Sequence, residues 1–206
     1  MRYLLVVLFT LVGANLGNTS NIASVHDVKV KYDNIKSIQG NFIQSQCSES
    51  EGTCRQFEGK FYISRPFFSR LEITYPDKQV IVTGSNNILI YLVNKKKVYV
   101  QPAGTGINFF KIFDMFLNDT ANYIMLKPDT NYSVFTYDKD SLNPDSYFNE
   151  LKFYVNSNTL LIEKFSFADM NGNENTFELS NIVLNSKLGK KLFTLEVPKG
   201  TEFIKY

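Results

Sequence analysis

An arginine at the end of an alternating segment is the first residue whose chemistry stands out. From Phe57 to Arg65, apolar residues alternate with polar ones, which is typical of a β-strand with one buried face. Arg65 falls in phase with the apolar side. Because a buried guanidinium without acceptors is strongly destabilising, another part of the chain would have to bring acceptors to it. The alternative is that Pro66 ends the strand and the Arg65 side chain extends into solvent.

Cys47 and Cys54 are the two cysteines of the chain, and the turn-forming residues SESEGT separate them. In an exported protein this spacing predicts a disulfide across the tip of a hairpin. Closing so short a loop contributes about 2.5 kcal/mol in the loop-entropy model. A redox site would show Cys-x-x-Cys spacing, and a zinc site needs ligands that a chain with one histidine does not supply nearby.

Residues arranged for catalysis are scarce. The sequence has no G-x-S-x-G, no H-E-x-x-H and no phosphate-binding loop. The lone histidine, His26, lies one position off an apolar stripe, and we assign it no role. The carboxylates of Asp138, Asp140, Asp145 and Glu150 fall in a region of turns, where solvated charge is the rule. We therefore predict a protein that is not an enzyme and that binds neither a cofactor nor a metal.

The start of the chain has the pattern of an export signal. Arg2 precedes an apolar run from Tyr3 to Val12, and the small residues Gly13 and Ala14 follow. This run is too short for a membrane span, so we predict a signal peptide over residues 1–14 that is removed on export. Since no cysteine lies near the predicted cleavage site, we expect no lipid anchor.

Length and composition limit the classes of protein that remain. Residues 15–206 are enough for a single domain with a real core. The 22 basic residues nearly balance the 20 acidic ones, so nothing indicates a nucleic-acid partner. The chain has 18 Phe and 12 Tyr but no Trp, and these rings either fill an ordinary core or line a cavity.

The elements that would position these residues are mainly strands. A helical stripe runs from Ile22 to Ile35, with Asn21 or Ser20 as its cap. About eleven strands follow, over residues 38–46, 57–65, 71–75, 80–82, 88–93, 97–100, 132–137, 151–155, 160–167, 176–184 and 193–197. Helical and strand patterns do not alternate, which predicts a mostly antiparallel sheet. Curled until nearly closed, such a sheet would hold helices on its concave face above an apolar hollow.

A second helix is predicted from Phe109 to Leu117, where only Lys111 and Asp114 are polar. Four apolar side chains would share one face, namely Phe109, Ile112, Phe113 and Phe116. Glycine-rich residues precede the segment, so we interpret it as a short movable cover. The alternative is an ordinary core helix.

Several segments resemble the bacterial periplasmic lipoprotein carrier family, the LolA-like proteins. The longest are FEGKFYISRPFFSRLEITYP, from Phe57 to Pro76, and QVIVTGSNNILIYLVNKKKVYVQP after it. Upstream, GNFIQ is similar to an F-x-Q strand of that family, and DMNGNENTFELSNI and FTLEVPKG are similar to its last strands. The resemblance covers nearly all of the chain after the leader.

This resemblance implies an α+β fold that is mainly β. A strongly curved, mostly antiparallel sheet would form an unclosed half-barrel, covered by an N-terminal helix and a short apolar lid helix. Arg65 would latch the lid through hydrogen bonds to its backbone. The lid and a cavity for acyl chains would be formed by Phe42, Phe61, Ile63, Leu71, Ile73, Ile81, Leu89, Tyr91, Phe109, Ile112, Phe113, Phe116, Phe153, Phe165 and Phe167.

The function implied by the resemblance is that of a monomeric periplasmic carrier of acylated lipoproteins. Its partners would be the inner-membrane lipoprotein-releasing ABC transporter and, where present, a LolB-like receptor at the outer membrane. The alternative is a periplasmic lipid-binding or envelope-stress sensor module on the same half-barrel, because a fold does not determine a function. Two features depart from the family: Ser69 near the mouth, and the insert between Cys47 and Cys54.

Overall fold

The computed structural model describes residues 23–66, 68–103, 109–118, 122–126, 131–137, 148–169 and 171–205. The helices are α1 (Val25–Asp33) and α2 (Phe109–Asn118), with short 3₁₀ helices at Val93–Lys95 and Lys190–Phe193. The strands are β1 (Ser37–Ser48), β2 (Thr53–Ser64), β3 (Phe68–Tyr75), β4 (Gln79–Thr83), β5 (Asn87–Leu92), β6 (Lys97–Pro102), β7 (Tyr123–Met125), β8 (Tyr132–Tyr137), β9 (Phe148–Asn156), β10 (Ile162–Asp169), β11 (Glu174–Leu184) and β12 (Glu202–Lys205).

All of these strands belong to one sheet, in the order β12-β6-β5-β4-β3-β2-β1-β11-β10-β9-β8-β7. Neighbouring strands are antiparallel except β12 and β6, which are parallel. The sheet is curved and does not close, so β12 and β7 are its two edges. The prediction of a mainly β, mostly antiparallel half-barrel is confirmed.

Neither helix in the described part of the chain has the length and apolar character needed to cross a bilayer. The predicted signal peptide, residues 1–14, lies outside the described residues and stays a prediction.

Helix α1 begins where a reciprocal cap forms. The backbone N–H of Asp27 donates to Ser24 Oγ at 3.2 Å, and the N–H of Ser24 donates to Asp27 Oδ2 at 2.9 Å. Each residue thus satisfies a donor that the first helical turn leaves unpaired. The hydrogen bonds from Ser24 hold the pKa of Asp27 below its ordinary value. The helix therefore starts at Val25 with Ser24 as its cap, and the predicted start at Ile22 is wrong.

The long β1–β2 hairpin carries the disulfide. Cys47 and Cys54 face each other in the ladder, with their Cα atoms 4.0 Å apart, and a bond joins their sulfurs. The predicted disulfide is confirmed. Both strands extend closer to the tip than predicted, because the cysteine pair lies inside the ladder, and the turn consists of residues 49–52.

Strand number and identity differ from the prediction at three places. The predicted strand over 193–197 is wrong, because this segment follows the 3₁₀ helix Lys190–Phe193 without joining a ladder. Strands β7 and β12 were not predicted. They have 3 and 4 residues, too few for a periodic pattern.

Both faces of the sheet are covered near β3. We call the face that carries Phe42 and Phe61 the inner face and the opposite one the outer face. On the outer face, Arg70 Nη1 donates to the carbonyl oxygen of Leu192 at 3.1 Å, and the rings of Phe68 and Phe193 lie 5.8 Å apart. The C-terminal segment therefore covers the outer side of β3. Farther along the outer face, three apolar side chains are buried: Val82, Tyr91 and Val98.

The close packing of β2 on β3 gives a test of this arrangement. A Cβ atom added at Gly59 would overlap the carbonyl oxygen of Glu72 and lie 3.0 Å from Ile73 Cα. Because backbone atoms would have to shift, we expect Gly59→Ala to lower the free energy of unfolding by about 1–3 kcal/mol in urea denaturation. The control is Gly189→Ala, where the added Cβ has no neighbour within 4 Å. Equal stability of the two variants would contradict this packing.

Candidate functional site

Helix α2 lies on the inner face of the sheet as the sequence pattern predicts. The buried side chains described on it are Ile112, Phe113, Phe116 and Leu117, each between 0 and 3% exposed. They belong to one apolar cluster with the inner-face residues of β1, β2 and β8–β11. The helix therefore completes the core and at the same time covers the concave side of the sheet.

Aromatic rings form the contact between α2 and the sheet. The ring of Phe116 stacks on Phe153 with centroids 4.3 Å apart and meets Tyr123 edge-on at 4.9 Å. Phe113 meets Phe165 edge-on at 5.9 Å, and Phe165 stacks on Phe177 at 4.7 Å. Ring pairs of this kind contribute about 0.5–1.5 kcal/mol each beyond the burial of their area.

Helix α1 packs against the edge of this cluster and is held there by a hydrogen bond to β10. Val28 and Tyr32 are buried against it, and the N–H of Ile162 donates to the Tyr32 hydroxyl oxygen at 3.0 Å. Burial raises the pKa of Tyr32 to about 12, because the ionised phenolate would be poorly solvated there. The hydroxyl thus satisfies a buried backbone donor and ties α1 to β10.

A small cleft remains beneath the C-terminal turn of α2. It has a volume of about 20 Å³ and is lined by Ile35, Lys36, Ser37, Ile38, Ile63, Arg65, Phe113 and Leu117. A cavity needs about 10–15 Å³ to hold a water molecule, whereas pockets for small-molecule ligands are roughly 300–1,000 Å³. At the position that α2 has in this structure, this cleft admits water but not an acyl chain.

The inner face remains apolar on the strands beyond this cluster. Leu71, Ile81 and Ile90 face one another across β3, β4 and β5 and are half-buried. Apart from Ile73, which is buried, these strands contribute little to the cluster around α2. The concave surface therefore continues as an apolar strip next to α2.

Most of the predicted cavity residues lie in this region. Ten are buried in the cluster that contains α2: Phe42, Phe61, Ile63, Ile73, Ile112, Phe113, Phe116, Phe153, Phe165 and Phe167. Leu71 and Ile81 pack against its margin. The side chain of Phe109 lies outside the described residues. Their contact with an acyl chain stays a prediction.

The prediction is wrong for Leu89 and Tyr91. Directly paired residues share a face of the sheet, and the register pairs Leu89 with Val82 and Tyr91 with Val80. Val82 in turn pairs with Arg70, which contacts the C-terminal segment on the outer face. Leu89 and Tyr91 therefore point away from the hollow, and their neighbours Ile88 and Ile90 take the inner positions.

Arg65 is not directed into the hollow. Strand β2 ends at Ser64, and Arg65 lies in the following turn with its N–H donating to Lys36 O at 3.0 Å. Its side chain is exposed, and the guanidinium donates no hydrogen bond to any residue that the structure describes. The expected inward orientation is wrong, because Pro66 ends the alternation. Arg65 still borders the cleft under Phe113 and Leu117, and its role as a latch stays a prediction.

Several inner-face residues were not among those predicted. Buried apolar ones are Ile38, Tyr123, Phe135, Tyr137, Leu151, Val155, Ile162, Phe177 and Leu179, and Leu117 of α2 packs against them. Most of those on β8–β11 could have been found, because they alternate in phase with Phe153 and Phe165. Ile162 could not, because the register shifts between Ile162 and Lys164. Near the disulfide, Gln44 Nε2 donates to Asn175 Oδ1 at 3.1 Å, and no apolar pattern marks this polar pair.

The sheet is an open half-barrel with the apolar face of α2 packed on its concave side, and comparison with known proteins identifies the family. The family model described as "Outer membrane lipoprotein carrier protein LolA" matches residues 33–196. The chain belongs to this family.

Individual relatives agree with this assignment. The chain is 24% identical over 186 residues to an outer-membrane lipoprotein carrier protein of Haemophilus ducreyi, covering 89% of this chain and 85% of the relative. It is 27% identical over 176 residues to the protein of that name from Shewanella pealeana, covering 85% and 83%. A crystal structure of an uncharacterized conserved protein from Thermus thermophilus shares the fold, with a TM-score of 0.53, 13% identity, and coverage of 88% and 97%.

The burial of Tyr32 predicts a specific loss of stability at high pH. In the unfolded chain a tyrosine ionises near pH 10, whereas the folded protein holds the Tyr32 proton up to about pH 12. The stability contributed by this difference is complete below pH 10 and is lost as the pH rises through 12. We expect a loss of about 2–3 kcal/mol for the wild type over this window. Tyr32→Phe should flatten the decline in urea titrations, while Tyr75→Phe, at an exposed position, should retain it. Parallel profiles for Tyr32→Phe and the wild type would contradict this.

Proposed function

We propose that this protein is a periplasmic carrier that holds the acyl chains of lipoproteins against its inner face and transfers them from the inner to the outer membrane. The observation that carries the proposal is the position of α2. This apolar helix lies on a concave surface that remains apolar beyond it, along Leu71, Ile81 and Ile90. Membership of the lipoprotein carrier family supports the same function.

The energetics of the cargo explain why such a surface is useful. Each methylene removed from water contributes about 0.8 kcal/mol, so a lipoprotein with several acyl chains does not leave a bilayer unaided. A portable apolar hollow offsets this cost. The hollow must also release the cargo, which requires a cover that moves without unfolding the protein.

The construction of the cover is compatible with such movement. The described contacts of α2 with the sheet are between side chains, whereas the strands are joined by their own ladders. Displacement of α2 would therefore leave the sheet intact while exposing Phe153, Phe165 and their neighbours. An acyl chain entering beneath α2 would then cover the rings that α2 had covered before.

Membership of the family supports a choice of partners. We propose the inner-membrane lipoprotein-releasing ABC transporter as donor and, where present, a LolB-like outer-membrane receptor as acceptor. The relatives named as outer-membrane lipoprotein carriers support this choice. A sensor module on the same fold would bind free lipid or an unfolded outer-membrane protein without passing lipoproteins on.

Native mass spectrometry of protein purified from the periplasm tests the proposal. A carrier should be recovered partly in complex with acylated polypeptides, and these complexes should be lost after transfer to acceptor membranes. Recovery with free lipid alone would favour the sensor module. Recovery of unliganded protein alone, from cells that overproduce a lipoprotein, would contradict both.

Cargo contact can be mapped with adjacent residues on opposite faces. We expect a photoreactive benzoylphenylalanine at position 90 to crosslink to a bound lipoprotein, because Ile90 lies on the inner face with Ile81. At position 89 the same probe should give no crosslink above background, because Leu89 pairs with Val82 on the outer face.

The comparison is controlled within one strand, since Leu89 and Ile90 are both half-buried. Crosslinking of equal strength at the two positions, measured as the fraction of probe-labelled protein shifted on gels, would show that cargo does not occupy the inner face.

The role of Arg65 is tested by replacing it. Since its side chain is exposed, Arg65→Leu should change the free energy of unfolding by no more than about 0.5 kcal/mol. We nevertheless expect slower lipoprotein transfer in a reconstituted assay, because Arg65 borders the cleft at the end of α2. Arg55→Leu, at another exposed arginine of the same hairpin, is the control. Unchanged transfer by the Arg65 variant would show that Arg65 has no role in lipoprotein transfer.

A further inference from the structure

A lysine of α1 contacts the C-terminal end of α2. Lys29 Nζ lies 3.3 Å from the carbonyl oxygen of Leu117 and 3.0 Å from Asp33 Oδ1. Leu117 is the penultimate residue of α2, which ends at Asn118. One ammonium group therefore joins a side chain of its own helix to the backbone of the neighbouring helix.

The position of this ammonium matches the electrostatics of a helix terminus. The last four carbonyls of an α-helix have no partner within the helix, and they form the negative end of its dipole. A lysine placed there supplies both a donor and a positive charge. The hydrogen bond from Lys29 to Leu117 thus favours the docked position of α2 over any position that takes this end away from α1.

The lysine projects from a rigid support. Val28, its neighbour in α1, is fully buried, and Tyr32 is held by the hydrogen bond from Ile162. Asp33, four residues after Lys29, orients the ammonium from the same helix. The Lys29 side chain is 34% exposed, so solvent weakens the interaction without removing it.

We propose that Lys29 is the positioning residue that holds the C-terminal end of α2 on the sheet. In this structure Arg65, to which the family resemblance assigned the latch, makes no such contact among the described residues. The inference rests on the proposed function only in regarding α2 as a movable cover. It adds that the cover is fastened to α1, through a backbone carbonyl, by a charge outside the aromatic cluster.

Hydrogen exchange of the α2 amides, measured by NMR on the cargo-free protein, tests the inference. Lys29→Met removes the ammonium and keeps an unbranched apolar stem. We expect the amides of Phe116 and Leu117 to exchange about threefold to tenfold faster in this variant, because the docked state of α2 loses a charged hydrogen bond at its surface. Lys29→Arg, which keeps a cationic donor, should restore most of the protection.

The matched control is Lys31→Met. Lys31 lies in the same helix and has the same charge, but it makes no hydrogen bond or ion pair within the described parts of the chain. Its replacement should leave exchange in α2 unchanged. The proposal is overturned if Lys29→Met does not accelerate exchange in α2, if Lys31→Met accelerates it equally, or if Lys29→Arg fails to restore protection. It is also overturned if the amides of α1 lose protection together with those of α2, because α1 itself would then be opening.

This readout is independent of cargo, so the two proposals can fail separately. If exchange changes as expected but periplasmic protein contains no acylated polypeptide, the role of Lys29 stands and the carrier function fails. If acylated polypeptide is bound but exchange is insensitive to residue 29, the carrier function stands and the role of Lys29 fails.

Discussion

The packing of α2 on the inner-face rings is the interaction that determines whether the concave side of the sheet is covered or open. Phe116 is fully buried between Phe153 and Tyr123, so the same side chain fills the core and closes the concave side. Lifting the helix would expose these rings to water, which raises the free energy. Helix α2 would therefore stay docked when no ligand is present. In the proposed carrier function, an apolar ligand would compensate for that exposure by covering the rings in place of the helix. Binding and opening would then be two aspects of one equilibrium.

A second constraint comes from the other side of the sheet. Arg70 and Phe68 hold the C-terminal segment over the outer face of β3, and Val82 and Val98 are buried on that face. Strands β4 and β5 carry apolar residues on both sides, unlike strands of a sheet with one solvated face. Packing on the outer face therefore stabilises the strands that carry the apolar strip, and this packing does not involve α2.

These two constraints explain what the sequence could and could not predict. Alternation identified the long strands and the inner positions of Phe61 and Phe165, and helical spacing identified the buried face of α2. Alternation failed for Leu89, because a run that is apolar on both sides does not show which residues face the hollow. Alternation also failed for Arg65. This residue continues the apolar phase of β2, but the phase does not show where the strand ends. The start of α1, by contrast, was readable from Ser24 and Asp27, which form a capping box.

The short strand β12 pairs in parallel with β6, which lies about half the chain earlier, and its position has a consequence for how the protein is made. A chain that emerges from its N-terminus can assemble β1–β6 early, but the backbone of β6 has no partner on one side until Lys205 has emerged. An unpaired strand edge is a template for association with other chains. Until the residues of β12 are available, the six-residue strand β6 is the edge of this half of the sheet, and afterwards the four-residue strand β12 takes its place. Truncated products without β12 would therefore keep the longer edge exposed.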